Sequence, residues 1–125
     1  MGIRDSAPRP HHRLEVWRDA MDLVEAIYRI SATFPDFERF ALSQQIRRAV
    51  VSVPSNIAEG AARKSTSEYL RFLSIARGSL AELDTQLHIA ERLDYTTFPP
   101  DAVELVNCVF AKLNALIRSL QPRES

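Results

Sequence analysis

Three residues of the sequence have the types and spacing that a metal site could use. Asp84, His88 and Glu91 stand four and three positions apart, so they would share one face of a helix. Carboxylate and imidazole groups on one face can bind a divalent metal. Di-iron bundles use a Glu-x-x-His pair, but Thr85 stands three residues before His88. We therefore expect a solvated face with a local Asp84–His88 contact, and neither a metal nor another cofactor.

A second stretch, GAARKST at residues 60–66, ends like a phosphate-binding Walker A loop. That motif needs a glycine directly before its lysine and another five residues earlier. Here Arg63 stands before Lys64, and Ala58 occupies the position of the first glycine. Because both glycines that let the backbone wrap a phosphate are missing, nucleotide binding is not predicted.

Gly78 and Ser79 raise the question of a catalytic serine. No histidine stands in place to activate Ser79, and no carboxylate pair is placed for hydrolysis. Glycine inside a helix costs about 1 kcal/mol relative to alanine, so its presence favours a close backbone approach. We expect Gly78 and Ser79 to contact a neighbouring helix, within or between subunits, and we predict that the protein is not an enzyme.

The formal net charge is zero, yet the basic residues are concentrated in the middle third. Residues 39–77 carry seven basic and two acidic side chains, whereas acids outnumber bases on both sides. This asymmetry favours an anionic partner such as RNA or DNA. The candidate binding residues are Arg47, Arg48, Arg63, Lys64 and Arg71. Alternatively, these side chains pair with Glu59, Glu68 or acids of a neighbouring subunit, which would leave no net field.

Four amphipathic segments must position these residues. Apolar side chains recur every three or four positions, which predicts helices over about 14–32, 37–59, 65–93 and 99–120. Because the connections are short, neighbouring helices should be antiparallel. The predicted fold is all-α, an antiparallel up-down-up-down four-helix bundle. It spans residues 14–120, between a flexible tail at 1–13 and a frayed C-terminus at 121–125.

Two helices carry more apolar surface than one bundle core needs. Helix 1 has one stripe from Leu14 through Trp17, Met21 and Val24 to Tyr28, and a second from Val16 to Ile30. In helix 4, we expect Val103 and Phe110 in the core, with Leu105, Val109 and Leu116 as the surplus. Large exposed apolar faces mark interfaces, so the surplus predicts an oligomer. Between helices 1 and 2, we expect Phe34, Phe37 and Phe40 to plug the bundle end.

The stretch SVPSNIAEG, residues 52–60, holds residues that disfavour helix. Pro54 lacks an amide proton and should bend helix 2. Ser52, Ser55 and Asn56 are near enough to satisfy the carbonyl that the proline leaves free. The helix is expected to end at Glu59, with Gly60 just past its end.

Helix 3 has its own start signal. Ser65 is predicted to cap the first turn, with Glu68 reaching back in a capping box.

The composition is that of an ordinary soluble domain, with 46% hydrophobic and 26% charged residues. The single Cys108 excludes an internal disulfide. Neither a signal peptide nor a membrane-spanning run is visible, so we expect a cytoplasmic protein without a membrane partner.

The stretch SVPSNIAEG, followed by SEYLRFLSIARGSLAEL, resembles the bacterial four-helix-bundle proteins encoded in intervening sequences of 23S rRNA genes. The same family is similar to the accessory protein that works with the reverse transcriptase of diversity-generating retroelements. VWRDAMDLV and FPDFERFALSQQIRRA fit the pattern too, so the resemblance covers about residues 14–120. It implies a four-helix bundle that assembles as a homopentamer and has no enzyme activity.

The sequence therefore predicts a non-enzymatic, self-assembling helical bundle that associates with nucleic acid. The alternative is a self-assembling scaffold that binds a protein partner and no nucleic acid.

Overall fold

The chain folds into four α-helices in a computed structural model that describes residues 2–122. The helices are α1 (Glu15–Ser31), α2 (Leu42–Ala61), α3 (Thr66–Arg92) and α4 (Pro100–Leu120). Short 3₁₀ turns lie at Ile3–Asp5, Pro10–Arg13 and Asp36–Glu38, and residues 2–122 contain no strand. The all-α prediction is confirmed. Met1 and residues 123–125, which belong to the two predicted tails, lie outside the described residues.

Each helix packs against two of the other three. Helices α2 and α4 each lie beside α1 and α3, whereas α1 and α3, like α2 and α4, are not backbone neighbours within residues 2–122. The four helices therefore surround one core, as in a four-helix bundle. Pro54 lies inside α2 and is buried. The alternating direction of the helices and a bend at Pro54 stay predictions.

The core is built from one apolar stripe of each helix. On α1, the stripe from Val16 to Ile27 is buried, and the stripe that begins at Leu14 is only partly covered. The largest fully buried side chains are Leu23, Ile27, Ile46, Val50, Val53, Ile57, Leu73, Leu80, Leu83, Val109 and Leu113.

The buried face of α4 is rotated from the predicted one. Val109, which was expected in the outward surplus, is fully buried, whereas Val103, which was expected in the core, is exposed. Phe110 is only partly buried. Adjacent stripes of α4 are both apolar, so their periodicity alone does not identify the face that meets the core.

The connection between α1 and α2 differs from its prediction. The helix expected from residue 37 begins at Leu42, because Ala41 has non-helical φ and ψ of −121° and −104°. Phe34 is buried, but Phe37 and Phe40 are 76% and 80% exposed, so the expected three-phenylalanine plug is wrong.

Tyr95, from the α3–α4 connection, closes this end of the bundle with Phe34. Its ring lies 5.7 Å from the Phe34 ring, and its hydroxyl donates a hydrogen bond of 2.7 Å to Glu38 Oε2. This hydrogen bond is the largest of the causes that raise the pKa of Tyr95.

The end of α3 is fixed by a Schellman motif without glycine. Tyr95 N–H donates to the Ala90 carbonyl and Asp94 N–H to the Glu91 carbonyl, both at 3.0 Å. Asp94 has a φ of 58°, in the left-handed region that glycine occupies most easily. A short polar side chain such as that of aspartate tolerates this conformation better than most.

The core assignment predicts unequal effects of two truncations. Leu83→Ala removes a fully buried side chain and should lower the free energy of unfolding by about 2–5 kcal/mol. Val103→Ala, on the exposed side of α4, serves as the control and should change it by less than about 0.5 kcal/mol. Urea denaturation followed by circular dichroism measures both, and equal losses would contradict the assigned faces.

Candidate functional site

Helices α2 and α3 are in close contact at Gly60. A Cβ at this position would lie 2.9 Å from Tyr69 Cδ1, 3.0 Å from Phe72 Cβ and 3.2 Å from the Tyr69 carbonyl oxygen. Gly60 is buried and lies inside α2, so its expected position past the helix end is wrong. Its φ is not positive. The residue is glycine because α3 leaves no room for a side chain.

Polar side chains of α2 meet α3 on the same side of the helix. The Ser52 and Ser79 hydroxyls are hydrogen-bonded at 2.8 Å. Asn56 Nδ2 donates to the Ser52 carbonyl at 2.8 Å and to the Ser52 hydroxyl at 2.9 Å. Ser55 Oγ donates to the Val51 carbonyl at 2.8 Å. Of these bonds, only the Ser52–Ser79 bond connects α2 to α3 beside Pro54, because Ser55 and Asn56 bond within α2.

Gly78, next to Ser79, makes no comparable approach. An added Cβ would meet nothing within 4 Å, and the residue is exposed. A contact with another helix of the same chain is therefore excluded, whereas Ser79 does contact α2. The expected contact of Gly78 between subunits stays a prediction.

The start of α3 largely follows its prediction. Ser65 Oγ accepts a hydrogen bond from the Glu68 amide at 3.2 Å. The Glu68 side chain does not return a bond in residues 2–122, and exposed Glu59 likewise has no side-chain partner there.

Two of the predicted basic residues share one aromatic ring. The guanidinium carbons of Arg63 and Arg71 lie 4.7 and 4.8 Å from the centroid of the Phe72 ring. These distances are typical of cation–π contacts. Phe72 is 7% exposed but does not belong to the main core cluster. Phe72 is not evident from the sequence, because Leu73 and not Phe72 follows the α3 core periodicity.

Arg47 has a different environment. Its Nε donates to Ser31 Oγ at 2.8 Å, and its NH2 group donates to the Tyr28 carbonyl at 3.3 Å. Its guanidinium also lies 4.7 Å from the Tyr28 ring centroid. Arg47 therefore joins the end of α1 to the start of α2 and places a positive charge beside the last carbonyls of α1.

The five predicted basic residues form two groups. Arg63, Lys64 and Arg71 lie around the α2–α3 turn, whereas Arg47 and Arg48 lie near the other end of α2, about 20 Å away along its axis. In residues 2–122, no side chain of the five has a carboxylate within ion-pair distance; the ion pairs involve His88 and Lys112. Pairing with Glu59 or Glu68 of the same chain is therefore wrong.

Lys112 forms the ion pairs that the sequence analysis did not anticipate. Its Nζ lies 2.6 Å from Asp19 Oδ2 and 3.1 Å from Glu15 Oε2, which joins α4 to α1. These bonds, Asp19 first, raise the pKa of Lys112. Cys108 Sγ lies 3.6 Å from the same Asp19 oxygen.

The face of α3 considered for a metal has the local contact that was expected. His88 Nε2 lies 3.7 Å from Asp84 Oδ1. Within residues 2–122, no group of three or more histidine, cysteine or acidic side chains has the arrangement of a metal site.

The partly covered stripe of α1 borders a groove against α2. Met21 and Tyr28 in this stripe are 42% and 41% exposed. The groove has a volume of about 370 Å³ and is lined by His11, Trp17, Met21, Val24, Val51, Pro54, Ser55 and Ala58. We call it the α1–α2 groove. Within residues 2–122, each helix is too short or too polar to serve as a membrane span.

The fold and these sites define a four-helix protein with a basic turn and an apolar groove. Residues 12–117 match the family model of the 23S rRNA-intervening sequence protein, and the chain belongs to this family.

A solved structure shares the fold. It is the crystal structure of a protein of unknown function from the S23 ribosomal protein family of Bacteroides thetaiotaomicron. The similarity has a TM-score of 0.65 at 24% sequence identity and covers 84% of this chain and 96% of the other. No curated protein matches the sequence.

The contrast between the two helical glycines gives a paired prediction. Gly60→Ala forces a Cβ against Tyr69 and Phe72 and should destabilise the fold by about 1–3 kcal/mol. Gly78→Ala adds a methyl group in open space and should stabilise it by about 0.5–1 kcal/mol. Thermal and urea unfolding of both variants measure the difference, and a stabilising Gly60→Ala would show that α2 and α3 are not in tight contact.

Proposed function

We propose that this protein is a non-enzymatic, self-assembling helical bundle whose α2–α3 turn binds the phosphate backbone of nucleic acid. The observation that carries the proposal is that, among the described residues 2–122, no basic side chain between residues 39 and 77 has a carboxylate within ion-pair distance. Arg63, Lys64 and Arg71 are exposed and none forms an ion pair in residues 2–122. Uncompensated positive charge on one surface is the electrostatic signature of nucleic-acid binding.

The geometry of the turn adds to this argument. The Phe72 ring holds two guanidinium groups near each other, so less side-chain freedom is lost when they bind. Arg63 and Lys64 are adjacent just after α2 ends, and neither is part of a helix. Contacts from such groups would be made to phosphate, with little dependence on base sequence.

Self-assembly would multiply the charge of a single turn. The partly exposed stripe of α1 and the α1–α2 groove offer apolar area that one chain leaves open. Closed cyclic symmetry is a common solution for identical subunits and repeats each basic turn around one axis. The expected number of five subunits rests on the family resemblance.

The alternative function, a scaffold for a protein partner, is favoured by a different observation. Phe37 and Phe40 are largely exposed at the end of the bundle, and the Arg39 guanidinium lies 5.3 Å from the Phe40 ring centroid. Exposed aromatic and arginine side chains are typical anchors of protein interfaces.

Nucleic-acid binding is tested with the double variant Arg63→Gln and Lys64→Gln. Wild-type protein should bind fluorescently labelled RNA or DNA in anisotropy titrations, with affinity that falls steeply as salt rises. Removal of two phosphate contacts should weaken binding to all sequences and lower the salt slope by about one per contact.

The matched control is Arg29→Gln with Arg118→Gln. It removes the same charge from exposed positions on α1 and α4, and it should keep most of the affinity. Circular dichroism establishes that each variant is folded. Absence of wild-type binding at about 50 mM salt, or equal losses in the two double variants, would favour the scaffold function.

Assembly is tested by light scattering coupled to size exclusion. The wild-type mass should be a multiple of the 14.2 kDa chain, and five copies are expected. Met21→Glu places a charge in the α1 stripe and should lower the mass, because burial of an unpaired charge opposes association. Ile89→Glu on α3, a position with the same exposed fraction, should not. A monomeric wild-type protein, or dissociation only by Ile89→Glu, would contradict this interface.

A further inference from the structure

The segment before α1 packs against the bundle through two histidines. The His11 and His12 ring centroids lie 4.9 and 5.2 Å from that of Trp17. The two imidazole rings are themselves 4.5 Å apart, edge to face. The 3₁₀ turn Pro10–Arg13 contacts both α1 and α2, so it bridges the two helices beside the α1 stripe.

Hydrogen bonds hold this turn in place. The Arg9 amide donates to His12 Nδ1 at 3.0 Å, and the Arg18 guanidinium on α1 donates to the His12 carbonyl at 2.9 Å. The first of these bonds requires a lone pair on Nδ1. A protonated His12 has no such lone pair, so protonation breaks this bond.

The surroundings of the His11 imidazole disfavour a positive charge. Arg9 is on the same segment, Arg18 is on α1, and α2 presents the uncharged groove residues Val51, Pro54, Ser55 and Ala58. In residues 2–122, neither His11 nor His12 has a carboxylate within ion-pair distance. Burial, followed by the charges of His12 and Arg9, lowers the pKa of His11 below its usual 6.5.

We propose that residues 9–13 are a pH-released cover of the α1–α2 groove. In the neutral form, the segment packs on Trp17, and His11 closes one side of the groove. When the imidazoles take up protons, the segment detaches and exposes Trp17 and the groove. Arg9 and His11 stand before residue 12, where the family match begins, so the family assignment does not imply this cover.

The sign of the pH effect follows from proton linkage. The docked segment binds protons less readily than the free segment, because the docked pKa of His11 is the lower of the two. The contribution of neutral His11 to docking is therefore fully present above about pH 6.5 and is lost as the pH falls through the docked pKa. Between the free and the docked pKa of His11, the ratio of docked to released segment falls by up to about tenfold per pH unit.

The composition of the chain makes the test selective. Trp17 is the only tryptophan, and His11, His12 and His88 are the only histidines. Acrylamide quenching of Trp17 should increase, and its emission should shift to longer wavelength, as the pH falls from about 8 to 5, the range in which histidine titrates. The midpoint should lie below 6.5, and the circular dichroism of the four helices should stay constant over the same range.

Histidine variants separate the cover from a general acid effect. His11→Gln with His12→Gln removes both titrating groups, so the accessibility of Trp17 should no longer depend on pH. His88→Gln, on the remote face of α3, is the control and should retain the wild-type midpoint. NMR titration of the imidazole protons reports the pKa of each histidine directly. Constant Trp17 accessibility from about pH 8 to pH 5, or loss of the transition in His88→Gln, would overturn the proposal.

Release of the cover should also change the oligomeric state. This expectation rests on the proposed function and is measured separately. If the α1 stripe is the interface, the mass measured by light scattering should change across the same pH midpoint, and the double histidine variant should abolish this change. Greater Trp17 accessibility at constant mass would support the cover and contradict the role of the stripe in assembly. Constant accessibility with a changing mass would contradict the cover alone.

Discussion

The close approach of α2 to α3 at Gly60 is the constraint on which the rest of the structure depends. The ring and carbonyl oxygen of Tyr69 and the Cβ of Phe72 occupy the space of the missing side chain. With the helices this close, the Ser52 and Ser79 hydroxyls can bond directly, and Asn56 can complete the connection. A larger residue at this position would separate the helices and break these contacts together, because packed interiors leave little room for adjustment.

The same contact determines where the basic residues lie. Tyr69 and Phe72 face Gly60 in the first turns of α3, and Arg63 and Arg71 lie against the Phe72 ring. The packing of α3 against Gly60 thus determines where Arg63 and Arg71 lie on the protein surface. Arg47 illustrates the opposite case, because its bonds to Ser31 and Tyr28 give it a structural role at the other end of α2.

The sequence predicts most of the helices and less of the site. Ser65 and Pro100 mark the starts of α3 and α4, because a capping side chain and a proline in the first turn act on residues close to them in the sequence. Gly60 was misassigned because glycine serves equally as a helix stop and as a contact point, and only the neighbouring helix distinguishes these roles. At Asp94, by contrast, α3 ends in a left-handed turn although the residue is not a glycine. The burial of Phe72 could not be predicted, because this residue lies outside the apolar periodicity that forms the core face of α3.

The position of Phe72 connects folding with the availability of charge. Its ring lies outside the main core cluster, and the guanidinium groups of Arg63 and Arg71 lie against it. An arginine stem covers apolar surface while its charged head remains hydrated. Removal of both arginine side chains would therefore uncover a hydrophobic ring at the α2–α3 turn. The two arginines thus act as a lid over Phe72, and their loss would cost stability as well as surface charge.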